Sequence, residues 1–235
     1  MAWDPLWQAL RDHGVSDHMV WLIRQLYADQ VGVIAGESTY SDEFPISAGV
    51  RQGCALSAKL FTSAMEWAMS RWKQRVRHLG IDLGDGGEHL TNLRFADDLL
   101  LFAYSEREVC FLLDTLVSEL LKVGLALNAK KTKALTTTAQ APSTIQTPDG
   151  LTINVINRDS AHKWLGCMLS TGGADSRTLD LNYHMQCAAK AFYANRRILC
   201  DKRASVTQRL KLFNSVVTTV ACFAAEHRSI YSRKI

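Results

Sequence analysis

Two adjacent aspartates, Asp97 and Asp98, are the side chains of this sequence most suited to chemistry. They stand between two apolar segments within residues 90–103, a pattern that predicts a strand, a tight turn and a second strand. Neighbouring carboxylates at the tip of a hairpin repel each other unless a cation neutralises them. Apolar strands would hold such a tip rigid, as a preorganised Mg²⁺ site requires. Taken alone, the pair also fits an ordinary Asp-Asp turn.

Three further segments carry groups suited to a nucleotide or a nucleic acid. Residues 49–54 (GVRQGC) combine glycines, which let the backbone approach a ligand closely, with Arg51 and Gln52, which can reach phosphates or base edges. Residues 127–133 (LNAKKTK) gather cations that could neutralise a triphosphate, although a solvated basic turn is the alternative. Residues 163–166 (KWLG) begin a short strand in which the glycine again permits close approach.

Positive charge is concentrated in the C-terminal third of the chain. From Lys163 onward, 12 Lys and Arg stand against 4 Asp and Glu, whereas residues 1–162 carry 15 against 19. The two parts therefore have net charges of +8 and −4, which restore the overall +4. A basic segment of this kind is what binding along a phosphate backbone requires, but a solvated helical face explains the charge equally well.

The composition, 47% hydrophobic and 21% charged, is that of a globular protein. No apolar run approaches the roughly 18–20 residues that span a membrane, and the N-terminus does not resemble a signal peptide. We therefore expect an intracellular protein, nuclear or cytoplasmic, that is neither secreted nor bound to a membrane. The six cysteines are scattered, and the pairs His184 with Cys187 and Cys222 with His227 fit no zinc module.

Periodic apolar residues predict the elements that position these segments. Asp4 and Ser16 are typical residues to open helices, and Val20, Ile23 and Leu26 are expected to face inward in the second helix. The predicted helices span residues 4–13, 17–29, 56–78, 106–123 and, with a break at 201–205, 177–235. The predicted strands outside the Asp hairpin span 31–35, 40–44, 133–138, 151–155 and 164–169, with loops expected at 84–87 and 139–147. The apolar stripe of the long third helix comprises Leu60, Phe61, Ala64, Met65, Ala68 and Trp72.

In this order and spacing, the segments GVRQGC, FADD, LNAKKTK and KWLG resemble the reverse transcriptase domain of non-LTR (LINE-type) retrotransposons. The resemblance runs from about Leu6 to about His227. It implies an α+β fold: a right-hand polymerase palm, in which an antiparallel sheet packs on helices, followed by a helical thumb. The palm, without fingers and without its first catalytic strand, would cover residues 1–172. An incomplete thumb would cover residues 173–235.

The resemblance also implies catalytic roles. Asp97 would bind the catalytic Mg²⁺ ions, for which Mn²⁺ is the alternative, and Asp98 would complete or support that site. Lys131 would lie near the nucleotide triphosphate and protonate the leaving pyrophosphate. The reaction would be RNA-directed DNA synthesis by two-metal, in-line attack of a primer 3′-hydroxyl on the α-phosphate of a deoxynucleotide triphosphate.

Binding roles follow from the same resemblance. The basic helices after Gly172 would hold a duplex of RNA template and DNA primer by its phosphates. The pocket for the template base and the incoming nucleotide would comprise Arg51, Gln52, Gly53 and Asn128. The grip on the primer terminus would comprise Trp164, Leu165 and Gly166.

The family's first palm strand is expected to lie upstream of this chain. That strand carries the aspartate that bridges both metal ions, whereas the nearest acid here, Asp4, looks like a helix cap. We therefore expect an N-terminally truncated part of a longer polyprotein, without the fingers segment and with little or no polymerase activity. Ala55 and Ala58 also replace prolines that are usual in the family, which should only loosen the entry to the long helix.

Three functions compete for this sequence. The first is the polymerase-derived domain just described. The second is a non-catalytic nucleic-acid-binding remnant, which would bind in a salt-dependent way without incorporating nucleotides. The third is another metal-dependent phosphoryl enzyme, such as a nuclease, that uses the Asp pair. The GVRQGC and LNAKKTK segments argue against a nuclease, because a nuclease needs no pocket for a nucleotide triphosphate.

Overall fold

The computed structural model of the protein describes residues 1–37, 39–84, 89–138, 140–158, 160–172 and 176–225. The chain divides into two compact units, one made of Met1–Thr132 with Gln146–Thr152 and the other of Lys133–Ile145 with Ile153–Ile235. Both contain helices and small sheets, which confirms the predicted α+β class. The palm and thumb ranges are divisions by function, and they remain predictions.

The described part of the first unit contains four helices and two antiparallel hairpins. The helices are α1 (Trp3–Asp12), α2 (Asp17–Tyr27), α3 (Ala55–Val76) and α4 (Glu106–Lys122). The hairpins pair β1 (Val31–Gly32) with β2 (Phe44–Pro45), and β3 (Asn92–Phe95) with β4 (Asp98–Leu101). Each predicted helix agrees with its counterpart to within two residues, and Ser16 caps α2 as predicted. The first hairpin is much shorter than its predicted strands.

The long helix α3 organises the first unit because its apolar residues belong to two core clusters. Near its N-terminal end Leu60 and Ala64 pack with α1 and α2, and further along its stripe packs with α4. Trp72 is fully buried, and its indole N–H donates to the Leu112 carbonyl at 3.0 Å and to the Thr115 hydroxyl at 3.1 Å. The helix therefore combines apolar burial with a paired buried donor, and the predicted stripe is confirmed.

Two expectations about the first helices are wrong. Asp4 lies within the first turn of α1, whose N-cap is Ala2 without a side-chain bond, so its carboxylate faces the positive end of the helix instead of capping it. Leu26 in α2 is 60% exposed, whereas Tyr27 is buried. The buried face follows positions i, i+3 and i+7 from Val20, and Leu26 falls outside that series.

The second unit contains most of a three-stranded sheet, a hairpin and a group of helices. In the sheet, β5 (Lys133–Leu135) pairs in parallel with β7 (Thr152–Ile156), which also pairs with β6 (Thr144–Gln146). The hairpin pairs β8 (His162–Trp164) with β9 (Cys167–Leu169). The helices are α5 (Ser176–Ala194), α6 (Arg196–Leu199), α7 (Val206–Phe213), a π-helical turn (Asn214–Thr218) and α8 (Thr219–Ala221).

Two expectations about this unit are corrected. The segment 164–169 is not one strand, because Leu165 and Gly166 form a turn between β8 and β9. Within the loop expected at 139–147, β6 is a strand whose Ile145 is buried. The predicted break in the C-terminal helices is confirmed between α6 and α7.

Parts of three predicted segments lie outside the described residues. They are residues 85–87 of the expected loop at 84–87, residue 139 of the expected loop at 139–147, and residues 226–235, which include His227 and the end of the predicted C-terminal helix. Among the residues that the structure describes, no helix is both long enough and apolar enough to cross a membrane.

Candidate active site

The Asp pair lies at the tip of the β3–β4 hairpin. Phe95 pairs with Asp98, so the turn consists of Ala96 and Asp97 alone. Ala96 has a φ of +53°, a conformation that glycine adopts freely and other residues only with strain. Both aspartates are exposed, and neither side-chain carboxylate forms an ion pair or hydrogen bond with another described residue. The strands thus present two free carboxylates on a tight turn.

The base of this hairpin is attached to the first unit by apolar and ionic contacts. Leu99 and Leu101 of β4 pack against the core cluster between α3 and α4. On the same face, the Arg94 guanidinium of β3 forms an ion pair with the Glu66 carboxylate of α3, which also accepts a hydrogen bond from Ser70 at 3.2 Å. The hydrogen bond from Arg94 lowers the pKa of Glu66 below its usual value. These contacts fix the hairpin on α3.

The opposite face of the hairpin is open. Leu93 and Phe95 alternate with Asn92 and Arg94 along β3, as the strand period requires. The two apolar side chains are 44% and 66% exposed. An apolar surface beside exposed carboxylates is a place where a base or sugar of a nucleic acid could pack.

The GVRQGC segment is a loop that leads directly into α3. The Trp3 indole donates to the Gly49 carbonyl at 2.8 Å, and the Gly49 N–H donates to the Met1 carbonyl at 2.9 Å. With the main chain held in this way, the side chains of Arg51 and Gln52 remain exposed. The loop can therefore offer a guanidinium and an amide to a ligand without rearranging its backbone.

The end of this loop places a thiol at the start of α3. Gly53 has a φ of +79°, which lets the chain turn into the helix, and Cys54 is the N-cap residue. The pKa of the Cys54 thiol is lowered mainly by the backbone N–H of Leu56, and also by the side chain and backbone of Ser57. A helix start favours the thiolate in this way because its first N–H groups lack partners within the helix.

The LNAKKTK segment is a turn organised by Asn128. The Asn128 carbonyl accepts the N–H groups of Lys131 at 3.1 Å and Thr132 at 2.9 Å, and the Lys131 N–H also lies 3.2 Å from the Asn128 side-chain oxygen. Leu125 and Leu127 pack against the cluster between α3 and α4. The ammonium groups are left on the outside, where Lys131 is exposed. Asn128 thus shapes the turn that carries the cations.

The KWLG segment is a tight hairpin in the second unit. Its turn residues, Leu165 and Gly166, have φ values of +47° and +88°. Positive φ at both positions is the pattern of a type I′ turn, in which glycine or asparagine is normally found. Lys163 is exposed and donates to the Tyr183 hydroxyl at 2.6 Å, which raises the pKa of its ammonium. The Trp164 indole N–H is buried and has no partner among the described residues.

GVRQGC, FADD and all of LNAKKTK except Lys133 therefore belong to the first unit. The helix α3 begins after GVRQGC, carries Glu66 under the FADD hairpin and shares a core cluster with the leucines of LNAKKTK. KWLG belongs to the second unit. Among the described residues, no hydrogen bond or ion pair joins Arg51, Gln52, Asn128 or Lys131 to either aspartate.

Asp97 and Asp98 fit a hard divalent cation in the chemistry of their donors. Carboxylate oxygens are the preferred ligands of Mg²⁺, which is commonly held by one or two carboxylates together with water and substrate phosphates. Within the described part of the chain, no group of three His, Cys, Asp or Glu side chains converges as a metal site. The hairpin thus offers a partial set of metal ligands.

Two contact pairs of structural importance are not visible from motifs. One is Glu66 with Arg94, for which the sequence carries no signal beyond an acid on the helix after GVRQGC. The other is Asp180 with His184, whose spacing of four residues on a helix could have indicated a pair on one face. Both pairs support a turn that the motifs do identify.

Comparison with known proteins agrees with these features. Residues 1–169 match the family described as reverse transcriptase (RNA-dependent DNA polymerase). A retrovirus-related Pol polyprotein from a type-2 retrotransposable element of Drosophila melanogaster is 34% identical over 128 residues, which are 54% of this chain and 11% of that protein. A transposon-derived protein of Caenorhabditis elegans is 27% identical over 140 residues, which are 60% of this chain and 49% of that protein. The chain thus spans about half or less of these relatives.

Proposed function

Because the chain belongs to the reverse transcriptase (RNA-dependent DNA polymerase) family, we propose that the β3–β4 tip is its catalytic metal site. Asp97 would hold Mg²⁺, or Mn²⁺ in its place, and Asp98 would complete or support that site. The observation that carries the proposal is that both carboxylates are exposed and unpaired on a hairpin fixed to α3 through Arg94 and Glu66. A turn held in this way can receive a cation without reorganising.

The reaction we assign to this site is transfer of a nucleotide to a primer 3′-hydroxyl. When bound, the divalent ions supply Lewis-acid activation of the hydroxyl and neutralise the phosphates. The exposed ammonium of Lys131 is suited to pair with the triphosphate and to give a proton to the leaving pyrophosphate. The Asn128 turn supports this role because it keeps the lysine on the outside of the unit.

The nucleotide and the template base would contact the loop before α3. Arg51 can donate to a phosphate, and Gln52 can pair with a base edge or a sugar. Gly53 leaves room beside them for a close approach of the ligand. Asn128 can add a side-chain amide from the neighbouring turn of the same unit. All four residues are exposed, and we assign them to one binding pocket.

The nucleic acid itself would be bound by the second unit, which we propose to combine the end of the palm with the thumb. Trp164, Leu165 and Gly166 would contact the primer strand near its 3′ end. Exposed cations on and between α6 and α7 would pair with phosphates of the RNA–DNA duplex. These cations are Arg196, Arg197, Lys202, Arg203 and Lys211.

We further propose that this chain alone synthesises little DNA. Two-metal transfer must hold two like-charged ions about 4 Å apart, which needs carboxylates on both sides of the pair. The hairpin supplies only Asp97 and Asp98. A further carboxylate from another segment would complete the site.

A second candidate function is binding of nucleic acid without catalysis. The exposed cations of the second unit favour it, since duplex binding through phosphates needs no metal site. The two functions differ in one observable property, which is incorporation of nucleotides once the metal site is complete. A nuclease remains less suitable, because Arg51 and Lys131 would have no triphosphate to bind.

Binding of a template–primer duplex tests the shared part of both functions. Fluorescence anisotropy with an RNA–DNA duplex should give an affinity that falls steeply with salt. The double change Arg196→Glu and Arg197→Glu should abolish most of that binding. The control is the double change Arg11→Glu in α1 and Arg24→Glu in α2, at two exposed positions of the first unit, which should leave binding nearly unchanged. Equal losses in both double variants would mean that the binding follows net charge alone and would refute the proposed interface.

A further inference from the structure

Two side chains of α5 contact the main chain at and beside the Leu165–Gly166 turn. The Met168 N–H donates to the Asp180 carboxylate at 3.0 Å, and the His184 ring Nε2 lies 3.1 Å from the Gly166 carbonyl. Asp180 and His184 are one helical turn apart, at 3.4 Å between Nε2 and the carboxylate. Both are buried, with 7% and 4% exposure. Two buried polar side chains thus contact the main chain of the β8–β9 hairpin at hydrogen-bond distance.

The same histidine joins the hairpin to the C-terminal part of the unit. Its Nδ1 lies 3.2 Å from the Val220 carbonyl, and its ring stacks on Phe223 with centroids 5.4 Å apart. Phe223 in turn covers Gly166, where an added Cβ would lie only 2.6 Å from the phenyl ring. The turn is therefore enclosed by α5 on one side and by the residues after α8 on the other.

A turn of this kind needs such support. Leu165 adopts a positive φ that a leucine avoids, and nothing in its own side chain favours that conformation. Conformations of this kind persist when the surrounding contacts determine them, and they cluster at functional sites. Here the polar contacts of His184 with Gly166 and of Asp180 with Met168 fix the main chain on both sides of the turn.

We propose that Asp180 and His184 are positioning residues for the primer terminus, an inference that rests on the proposed role of KWLG in gripping the primer. They hold the Leu165–Gly166 turn in its strained form, and that form presents Leu165 and the adjoining main chain to the primer strand. The C-terminal helices then affect the primer terminus through His184 as well as through contacts with duplex phosphates. Loss of the support should weaken recognition of a 3′ terminus and leave binding along the duplex intact.

The test compares two probes on the full chain. One is an RNA–DNA hybrid with a recessed DNA 3′ end, and the other is the same hybrid closed by loops so that no terminus is present. The wild-type chain should prefer the recessed end. His184→Phe, which keeps the ring but removes both nitrogens, should reduce that preference about tenfold, and Asp180→Asn, which keeps an acceptor for Met168, about threefold. Asp201→Asn, an acid elsewhere in the unit that pairs with Arg203, serves as the control and should not change it.

The outcomes separate this inference from the function on which it rests. If the wild-type chain shows no preference, the primer grip is wrong, and hydrogen exchange of residues 162–169 then decides whether the two side chains support the turn. If the preference exists and survives in both variants, the positioning role is overturned. Should His184→Phe fail to fold, Asp180→Ala, which removes the acceptor for the Met168 N–H, takes its place, and an unchanged preference in that variant overturns the inference. Parallel loss of affinity for both probes would indicate a purely structural role and would also contradict the inference.

Discussion

The Arg94 guanidinium on β3 meets the Glu66 carboxylate on α3, so the strand that leads to Asp97 is joined to the helix that follows GVRQGC. The ion-pair partners are 28 positions apart in sequence, and the motifs that they follow and precede lie about forty residues apart. Leu99 and Leu101 secure the other strand through the core. Among the described residues, this ion pair is the one side-chain polar contact between β3 and α3.

Glu66→Gln should therefore loosen the hairpin without unfolding the unit. Both partners are partly exposed, at 29% for Arg94 and 47% for Glu66, so the loss of stability should stay below about 1 kcal/mol. Arg94 lowers the pKa of Glu66 below the ordinary glutamate pKa of 4.5. The ion pair therefore stabilises the fold at pH values above 4.5, and this stabilisation is lost as the pH falls through the lowered pKa. Urea unfolding from pH 7 to pH 3 measures the difference between variant and wild type. A difference as large at pH 3 as at pH 7, or an equal difference for the exposed Glu43→Gln, would contradict the assignment.

Ala96→Gly should stabilise the hairpin. At a φ of +53° alanine is strained by roughly 1–2 kcal/mol, and glycine removes that strain at an entropic cost of about 0.5–1 kcal/mol. The expected net gain is a few tenths to about 1 kcal/mol. Ala58→Gly, at an exposed position of α3, is the matched control and should lose about 0.5–1 kcal/mol. Thermal unfolding of both variants gives the two signs, and destabilisation by Ala96→Gly would show that the turn does not carry this strain.

Glu119→Gln should destabilise the contact between α3 and α4. The Glu119 side chain is 3% exposed and accepts from Lys122 at 2.7 Å and Arg75 at 3.2 Å. Burial raises the pKa of Glu119, but the hydrogen bonds and charges of Lys122 and Arg75 outweigh it, so the pKa is lowered overall. The free energy of unfolding should fall by about 1–3 kcal/mol at pH 7, and the difference from wild type should shrink as the pH falls below the ordinary glutamate pKa of 4.5. Chemical unfolding at pH 7 and pH 3.5 checks both statements, and an equal loss at the two values would contradict the second.

Cys54 should be the most reactive exposed thiol of the chain. Its pKa is lowered mainly by the Leu56 N–H, whereas burial raises the pKa of Cys110. Alkylation by iodoacetamide at pH 7, followed by mass spectrometry, should modify Cys54 several times faster than Cys200, which is also exposed. If the GVRQGC loop lines a template pocket, a bound template–primer should protect Cys54, and the double change Arg196→Glu and Arg197→Glu, which removes duplex binding, should remove that protection. Failure of the template–primer to protect Cys54 would argue against the pocket.

Motifs and periodicity predicted the elements around the candidate site because those elements are local. The stripe of α3 and the apolar strands around Asp97 follow from the helical and strand periods, and both are confirmed. The turn at Leu165 was predicted as a continuous strand, because leucine gives no turn signal and its positive φ is imposed by tertiary contacts. The prediction that Leu26 faces inward was wrong for a related reason, because an apolar residue next to a buried helix face cannot be distinguished in sequence from one within that face.

The residues that face a ligand and the residues that support them differ in how far the sequence reveals them. Arg51, Lys131 and the aspartates were identified from motif order, and the structure shows them exposed on defined turns. The residues that support those turns, Glu66 and His184, carry no motif, because their partners are main-chain or side-chain groups far away in sequence. Side chains that support a site are found from contacts, whereas side chains that face a ligand can be found from motifs.

The most direct test is primer extension on an RNA template by this chain with Mg²⁺ and deoxynucleotide triphosphates, with duplex binding recorded in the same samples. We predict salt-sensitive binding of the template–primer and incorporation no greater than that of Asp97→Asn, because two carboxylates cannot hold two ions in place. Robust Mg²⁺-dependent synthesis that Asp97→Asn abolishes would contradict the claim that the metal site is partial. Absence of binding would contradict the assignment of the second unit to the primer and its template.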